Sequence, residues 1–250
     1  MSARLAGFGI ARRGRRGPQV LLPDELPIVE ANAWFASLPH ELRDAILSLA
    51  AVRCARPGER LFRQAAPAEE WLCVVRGSVR LCRSISDQRQ VAATFAAPGT
   101  WIGDTELADG GPLMHDAYAQ GHTKLLSIGR ADFELLCQRH AELHAALLRL
   151  QCMRLRAMVE RLEDLHTLSL EQRMAKQLLR LEHAFGVDAA RGPSIALQVS
   201  QAELGELVGA SRQRINIVLK QFEREGVVRI TPWSVQIVAH EVLRTRARPS

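Results

Sequence analysis

The feature of the sequence that most constrains its fold is a long segment without helix-breaking residues. From Asp132 to His166 the chain contains neither glycine nor proline. Its leucines recur at helical intervals, at Leu136, Leu143, Leu147, Leu150, Leu155, Leu162 and Leu165. The pattern predicts one helix of about thirty residues, roughly 45 Å long, with Asp132 capping its first turn. Such a helix is longer than one small domain, so we expect its apolar stripe to pair with a second copy of the chain; packing onto its own chain is the alternative.

A β-rich segment precedes this helix. From about Val52 to Ile128, short β-like runs are separated by glycine- and proline-containing turns at residues 56–58, 76–78, 97–99 and 109–112. Among these runs, Trp71 to Val75 is continuously apolar, which is typical of a buried strand. Several short strands at near-regular spacing predict a small antiparallel barrel or roll. Ahead of them, Ala33 to Leu49 has the pattern of a short amphipathic helix that Leu38-Pro39 interrupts or restarts.

Two helix-start patterns follow the long helix. Ser169 to Gln172 is a capping box that opens a helix from Leu170 to Phe185, so we place the domain boundary at residues 167–169. Asp188 to Pro193 ends in Gly-Pro and is predicted to be a loop. Ser200 to Glu203 is a second capping box, and it opens a short helix that ends at Gly209.

The segment from Ser200 to Glu225 has the spacing of a helix-turn-helix. Ser211 caps a second helix that runs to about Arg224. Gly205 is small where the two helices would touch, and Gly209 supplies the permissive backbone of the turn. The positions that two such crossing helices must bury are Leu204, Val208, Ala210, Ile215 and Val218. In a helix-turn-helix the second helix enters the DNA major groove; an αα-corner without any role in DNA binding is the alternative.

The second helix, residues 211–224, carries side chains suited to reading DNA. Arg212, Gln213 and Asn216 lie in its first turn and a half, the part that reaches base edges. Arginine pairs bidentately with guanine, and glutamine or asparagine pairs with adenine. Phosphate contacts fix position without reading sequence. We expect these phosphate contacts to come from Ser200, Ser211, Arg214 and Lys220.

A β-hairpin completes the predicted C-terminal domain. Val227 to Ile230 and Val235 to Val238 flank Thr231-Pro232-Trp233-Ser234, which turns the module into a winged helix-turn-helix. The predicted fold class is therefore α+β. It comprises a disordered Arg-rich tail (1–23), an antiparallel β-roll (24–131), a dimerisation helix (132–168) and a winged helix-turn-helix DNA-binding domain (169–250).

The net charge of +6 is distributed unevenly along the chain. Residues 1–23 hold five arginines and no acid, residues 24–169 hold 16 basic and 19 acidic residues, and residues 170–250 hold 12 basic and 8 acidic residues. A basic C-terminal third behind a slightly acidic body indicates a polyanion-binding module attached to a unit of another kind. A merely solvated basic surface is the alternative interpretation.

Composition and motifs exclude several classes of protein. With 47% hydrophobic and 24% charged residues, the chain has the composition of an ordinary globular protein. It has no run of 18 apolar residues and no secretory signal, and its five scattered cysteines form no CxxC pair. These features favour a reducing compartment and argue against a metal site. We find no nucleophile–base pattern, metal-ligand spacing or glycine-rich phosphate loop, so we expect no enzymatic activity.

The order of roll, long helix and winged helix-turn-helix resembles the Crp/Fnr family of bacterial transcription regulators. The stretches that carry this resemblance are residues 57–62 (PGERLF), 75–81 (VRGSVRL), 98–104 (PGTWIGD), 199–201 (VSQ) and 211–215 (SRQRI). The resemblance implies a cytoplasmic homodimer with a cyclic-nucleotide-binding-like jelly roll. It also implies binding to an inverted-repeat promoter site and contact with RNA polymerase. Members of the family often have an acidic residue at the position of Gln213 and an arginine at the position of Ile217. In this chain, the side chain of Ile217 could contact a thymine methyl group instead.

The resemblance also assigns an effector pocket, whose residues depart from the cyclic-AMP receptor branch. There, a Gly-Glu and an Arg-Ser pair cradle the ribose and phosphate, and a Thr-Ser pair on the long helix contacts adenine. The corresponding pairs here are Gly103-Asp104, His115-Asp116 and Met158-Val159. Histidine loses the bidentate phosphate contact, Asp116 adds a repelling carboxylate, and Met158-Val159 offers no hydroxyl. We therefore do not expect cyclic AMP to be the effector.

Several signals remain open. The oxygen-sensing branch needs an N-terminal cysteine cluster, which is excluded because no cysteine precedes Cys54. We predict no cofactor, although Cys73, Cys82 or His115 could ligate haem and the roll cysteines could sense redox state. Another small molecule, or no effector at all, is a further hypothesis. A ligand-binding regulatory module without promoter specificity is the competing class of function.

Overall fold

The structure is a computed structural model that describes residues 21–86, 89–189, 192–195, 197, 199–231 and 235–248. Most of the predicted Arg-rich tail, residues 1–20, lies outside the described residues. Leu21 packs against the core of the N-terminal unit, two residues before the predicted end of the tail.

Three short helices cover the start of the N-terminal unit: α1 (Leu26–Glu30), α2 (Ala33–Ala36) and α3 (His40–Leu49). Leu38-Pro39 separates α2 from α3, so the predicted interruption is confirmed. Pro39 takes the N-cap position of α3, where its missing N–H costs no intrahelical hydrogen bond.

The β-rich segment forms one antiparallel roll, as predicted. Its strands are β1 (Ala51–Ala55), β2 (Arg60–Phe62), β3 (Glu70–Ser86), β4 (Arg89–Ala96), β5 (Trp101–Ile102) and β6 (Asp116–Gly129). The sheet order is β1-β6-β3-β4, with β2 on β6 and β5 on β3, and α4 (Asp104–Asp109) joins β5 to β6. Residues 71–75 are completely buried, which confirms the predicted core strand.

Aromatic residues fill the core of the roll. The ring of Trp71 lies 4.2 Å from Trp101 and 5.3 Å from Phe133, and Phe35 stacks on Trp101 at 5.7 Å, measured between centroids. Trp34 donates its indole N–H to the carbonyl oxygen of Ala146 at 2.8 Å. The core thereby attaches the roll to the helical segment that follows it.

The predicted single helix is divided into α5 (Arg130–Arg139) and α6 (Ala141–Thr167). The prediction of one uninterrupted helix is therefore corrected: His140, with φ −125° and ψ 86°, breaks it. The break turns both segments onto the roll, because α5 buries Phe133 and Leu136 while α6 buries residues 143, 146 and 147. Asp132 lies within the first turn of α5 but does not cap it, since the N-cap residue is Gly129.

The second unit contains α7 (Leu170–Phe185), α8 (Gln201–Val208), α9 (Arg212–Arg224) and α10 (His240–Arg246). Its sheet consists of β7 (Gly186–Ala189), β8 (Gly192–Ile195), β9 (Val228–Ile230) and β10 (Val235–Ile237), in the order β7-β8-β10-β9. The wing hairpin is confirmed, although its turn residues 232–234 lie outside the described part. The loop predicted over residues 188–193 is corrected, since β7 and β8 occupy most of it. Proline is tolerated near the start of a strand, where Pro193 lies.

Polar contacts join the two units. Asp164 near the end of α6 accepts hydrogen bonds from Lys176 at 2.7 Å and Arg180 at 3.0 Å, both on α7. On the other side, the carboxylate of Glu206 on α8 accepts the backbone N–H of Ala92 on β4 at 2.7 Å. Phe95 of the roll also packs into the hydrophobic cluster of the second unit.

Candidate nucleic-acid interface and effector pocket

The two helices of the helix-turn-helix begin as the sequence predicts. Ser200 and Glu203 form a reciprocal capping box: the Ser200 hydroxyl accepts from the Glu203 N–H at 3.2 Å, and the Glu203 carboxylate accepts from the Ser200 N–H at 2.9 Å. The hydroxyl of Ser211 accepts from the N–H of Arg214 at 3.5 Å at the start of α9. Both serines are exposed at helix N-termini, where backbone N–H groups favour an anion such as phosphate.

Glycines allow the tight crossing of α8 and α9. A Cβ atom at Gly205 would lie 2.4 Å from the carbonyl oxygen of Ala210, so no other residue fits there without displacement. Gly209 has φ +72°, the left-handed conformation that glycine adopts without strain. The predicted buried positions Leu204, Val208, Ile215 and Val218 are at most 6% exposed, whereas Ala210 is half-buried.

The outer face of α9 is exposed and positively charged. Arg212, Gln213, Arg214, Ile217 and Lys220 are all exposed, Ile217 to 64%. No acidic side chain among the described residues forms an ion pair with the two arginines or the lysine. Their charges are thus available to a polyanion, where releasing its counterions favours binding.

Two open grooves lie along α9, one on each side of the helix. The first, of about 650 Å³, is lined by Arg212, Asn216 and Lys220, which are spaced four residues apart on α9, and by Ser200 and Gln201 at the start of α8. Asn216 is half-buried there, and its Oδ1 accepts from Nε2 of Gln201 at 3.4 Å.

The second groove, of about 510 Å³, lies on the other side of α9. It is lined by Arg214 and Ile217 together with Ser169, Leu170 and Glu171 at the start of α7. The residues predicted to contact DNA therefore lie close together but on two sides of one helix.

The wing adds a cation that the sequence analysis did not single out. Arg229 on β9 is exposed, and its guanidinium donates to the amide oxygen of Gln236 on β10 at 3.3 Å. Glu223 of α9 accepts the N–H of Ile230 at 3.0 Å and so connects the wing to α9. The alternation of Val228-Arg229-Ile230 in a predicted hairpin was the available signal, because it places the arginine opposite the buried face.

In the roll, Asp104 is completely buried and fully engaged with α6. Its Oδ2 accepts from Arg154 at 2.7 Å and from Gln151 at 2.6 Å, and its Oδ1 accepts from Arg154 at 3.2 Å. Arg154 also donates to the carbonyl oxygen of Trp101 at 2.6 Å. Gly103 precedes the site with φ +90°, where a Cβ would lie 2.7 Å from the carbonyl oxygen of Glu70.

Asp116 and His115 belong to a different set of contacts. Asp116 accepts the N–H of Gln64 at 3.1 Å and the hydroxyl of Ser84 at 2.8 Å. Burial lowers the pKa of His115 from 6.5, opposed by Glu106 and assisted by Arg83, so its imidazole is mainly neutral at pH 7.

Met158 and Val159, by contrast, are 61% and 45% exposed on α6. Of the four predicted pocket residues in the roll, only Asp104 is hydrogen-bonded to α6. Its partners there are Arg154 and Gln151, which the sequence analysis missed. No local pattern in the sequence marked these two residues, because both are distant from Asp104 along the chain.

Two of the roll cysteines, Cys73 and Cys82, have the surroundings of inert thiols, whereas Cys54 is exposed. Cys73 is completely buried, and burial raises its pKa far above the ordinary value. Burial also raises the pKa of Cys82, against the opposing effect of Arg80. Haem ligation by cysteine and thiol redox chemistry both need a thiolate, which these surroundings disfavour. In the part of the chain that the structure describes, no group of three or more His, Cys, Asp or Glu side chains could hold a metal ion. No described helix has the length and apolarity to cross a membrane.

The sequence matches two protein families, the Cyclic nucleotide-binding domain over residues 52–140 and the Crp-like helix-turn-helix domain over residues 172–246. The CRP-like cAMP-activated global transcriptional regulator of Mycobacterium tuberculosis is 30% identical over 191 residues, which cover 76% of this chain and 85% of that protein. The chain belongs to the Crp/Fnr family. This Crp/Fnr protein is accordingly a DNA-binding transcription regulator, as its helix-turn-helix predicted. The Cyclic AMP receptor protein of Thermus thermophilus is also 30% identical to this chain. The matched segment covers 84% of this chain and 94% of the Thermus protein.

Solved structures share the fold of the regulator. FixK2 from Bradyrhizobium japonicum has a TM-score of 0.70 at 22% identity and covers 80% of this chain and 98% of its own. CLP, the c-di-GMP responsive global regulator of Xanthomonas campestris, has a TM-score of 0.64 at 21% identity and covers 80% of this chain and 99% of its own. These similarities confirm the architecture of a β-roll, long helices and a C-terminal helix-turn-helix.

Proposed function

We propose that this regulator acts as a homodimer whose two α9 helices read an inverted-repeat promoter site. The observation that carries the proposal is the exposed, unpaired cationic face of α9. Arg212 and Gln213 would read base edges, with Asn216 and Ile217 beside them, while Ser200, Ser211, Arg214 and Lys220 would hold phosphates. The proposal includes contact with RNA polymerase, a cytoplasmic location and no enzymatic activity.

The dimer proposal rests on the exposed half of α6. Leu148, Leu155 and Leu162 are spaced by seven residues and are 66%, 60% and 53% exposed. Met158 and Leu165, also seven residues apart, are 61% and 44% exposed. A seven-residue apolar repeat is the pattern by which two helices pair, and a palindromic DNA site requires a two-fold axis. The occupant of this face would therefore be a second copy of α6.

Cyclic AMP is not the effector in this proposal, although the names of the two relatives include it. The carboxylate of Asp104 already has Arg154 and Gln151 as partners, so it offers few free acceptor sites to a ribose hydroxyl. Asp116 would repel a phosphate, and neutral His115 could not offset that charge. Titration calorimetry of the purified protein with cyclic AMP should show no binding at micromolar concentration. A micromolar dissociation constant would refute this part of the proposal.

Selection of binding sites from a random DNA library, with no ligand added, tests the main proposal. An enriched palindrome with half-site centres about one helical turn apart would support both the dimer and the reading helix. It would also show that the ligand-free protein is already competent to bind. No enrichment from a folded dimer would favour the second candidate function, a regulatory module whose DNA binding depends on an effector in the roll. A folded monomer would contradict the dimer proposal directly.

A further inference from the structure

A polar contact crosses the helix-turn-helix at the edge of the reading face. Gln201 is the first residue of α8, and Asn216 lies in the second turn of α9. Nε2 of Gln201 donates to Oδ1 of Asn216 at 3.4 Å, and both side chains are half-buried. The two amides line the same groove as Arg212 and Lys220. Asn216 thus differs from the other predicted base readers, which are exposed and have no such partner among the described residues.

We propose that Gln201 is a positioning residue that fixes the orientation of the Asn216 amide and so sets the base that Asn216 reads. The inference rests on the proposed reading role of α9. An asparagine amide has one acceptor oxygen and an NH₂ group with two donors. Because its hydrogen bond to Gln201 turns Oδ1 toward α8, the Nδ2 donors of Asn216 are the atoms better placed for DNA.

This orientation predicts a base preference different from the one expected for asparagine in general. Guanine presents two acceptors, N7 and O6, in the major groove, whereas adenine presents one acceptor beside the N6 donor. Bidentate pairing with adenine needs the asparagine oxygen to face the base. With that oxygen turned toward Gln201, guanine suits Asn216 better than adenine. Releasing the oxygen should weaken this preference.

The side chain of Gln201 can be removed without disturbing the start of α8. The capping box consists of Ser200 and Glu203 and does not use the Gln201 amide. Alanine also has a higher helix propensity than glutamine. The variant Gln201→Ala should therefore keep the fold, and its thermal unfolding checks this.

A double-mutant cycle tests the inference. Site selection is carried out with the wild type, Gln201→Ala, Asn216→Ala and the double variant. The base position whose preference disappears in Asn216→Ala is the one that Asn216 reads. Affinities are then measured on four duplexes that differ only at that position. We expect guanine there in the wild type and an approximately fivefold smaller guanine-over-adenine ratio in Gln201→Ala, the value of one ordinary hydrogen bond. The double variant should match Asn216→Ala, because the two residues act as one unit.

The matched control is Gln213→Ala, which removes another amide from the same helix. Its effect should fall on a different base position and should add independently to that of Gln201→Ala. An equal loss of affinity on all four duplexes would make Gln201 a phosphate contact and would overturn the inference. Three other results would overturn it as well. The wild type could select adenine at the position that Asn216 reads, Asn216→Ala could leave the selected motif unchanged, or Gln201→Ala could leave the guanine-over-adenine affinity ratio unchanged. In those cases the proposed function still stands if the wild type selects a palindrome, whereas absence of any motif defeats both.

Discussion

The charged side chains of α9 and those of the predicted effector pocket in the roll have opposite surroundings. On α9, Arg212, Arg214 and Lys220 are exposed and have no acidic partner in the described part of the chain. In the roll, Asp104 is completely buried and both of its carboxylate oxygens accept hydrogen bonds from α6. Asp116 is likewise held by Gln64 and Ser84.

The difference indicates which site is prepared for an external ligand. Unpaired cations on a surface lose little by binding a phosphate backbone, because they have no internal partner to give up. A buried carboxylate that already has a guanidinium partner contributes to the structure, and removing its partner leaves an uncompensated charge. We infer that the exposed cations of α9 can bind a polyanion without losing an internal partner, whereas Asp104 mainly holds α6 against the roll.

The largest expected effect is on the stability of the roll. Arg154→Ala leaves the buried Asp104 without its guanidinium, and we expect a loss of about 2–3 kcal/mol in the free energy of unfolding. The estimate lies at and below the lower bound of the usual range of about 3–5 kcal/mol, because the Arg154 side chain is 37% exposed. Urea unfolding measures the loss. Arg156→Ala, an exposed neighbour on the same helix, should change stability by less than about 0.5 kcal/mol. An equal loss in the free energy of unfolding in Arg154→Ala and Arg156→Ala would show that the buried carboxylate of Asp104 does not depend on Arg154.

The second prediction concerns the exposed cations of α9. Arg212→Ala should cost about 1–3 kcal/mol of binding free energy on the selected site and relax one guanine preference, with no change in unfolding. Fluorescence anisotropy on specific and substituted duplexes measures both effects. The matched control is Lys220→Ala, which should weaken all sequences about equally and reduce the salt slope by about one. If Arg212→Ala behaved like Lys220→Ala, Arg212 would be a phosphate contact.

The two sites also differ in how far the sequence could predict them. The helix-turn-helix is made of local signals: Ser200 with Glu203, Gly209 at the turn and Ser211 at the next start lie within twelve residues. Each has a direct physical meaning, so the helix bounds and most of the buried set, all but Ala210, were predictable. The orientation of Asn216 was not, because it depends on Gln201 across the turn.

The roll pocket depends on contacts between distant residues. Asp104 and Arg154 are fifty positions apart, and no local pattern marks them as partners. The break at His140 was hidden for a similar reason, since tertiary packing of Phe133 and Leu143 on the roll, not a glycine or proline, turns the chain there. The strands β7 and β8 were missed because a Gly-Pro pair indicates a loop unless its sheet neighbours are known.

The third prediction addresses the contact between the two regions. Glu206→Ala removes the acceptor for the N–H of Ala92, and we expect a loss of about 1 kcal/mol in the free energy of the local opening that exposes this amide. Hydrogen exchange at Ala92 should then be about fivefold faster. Glu171→Ala, which removes a half-buried acid from the start of α7, should leave that exchange rate unchanged. Unaltered exchange at Ala92 in Glu206→Ala would mean that the roll alone protects this amide.

The smallest expected effect is a pH dependence that comes from His115. Burial lowers the pKa of His115 in the folded protein, while the unfolded chain keeps a value near 6.5. The unfolded chain therefore binds more protons as the pH falls through about 6.5, and this contribution to stability declines between pH 7 and 5.5. Urea unfolding of His115→Gln across this range should show a shallower decline than the wild type, and His144→Gln, an exposed residue of α6, serves as the control. A steeper decline in His115→Gln would mean that the charge of Glu106 outweighs burial. The neutral imidazole assigned beside Asp116 would then be wrong, and with it one reason for rejecting a phosphate ligand in the roll.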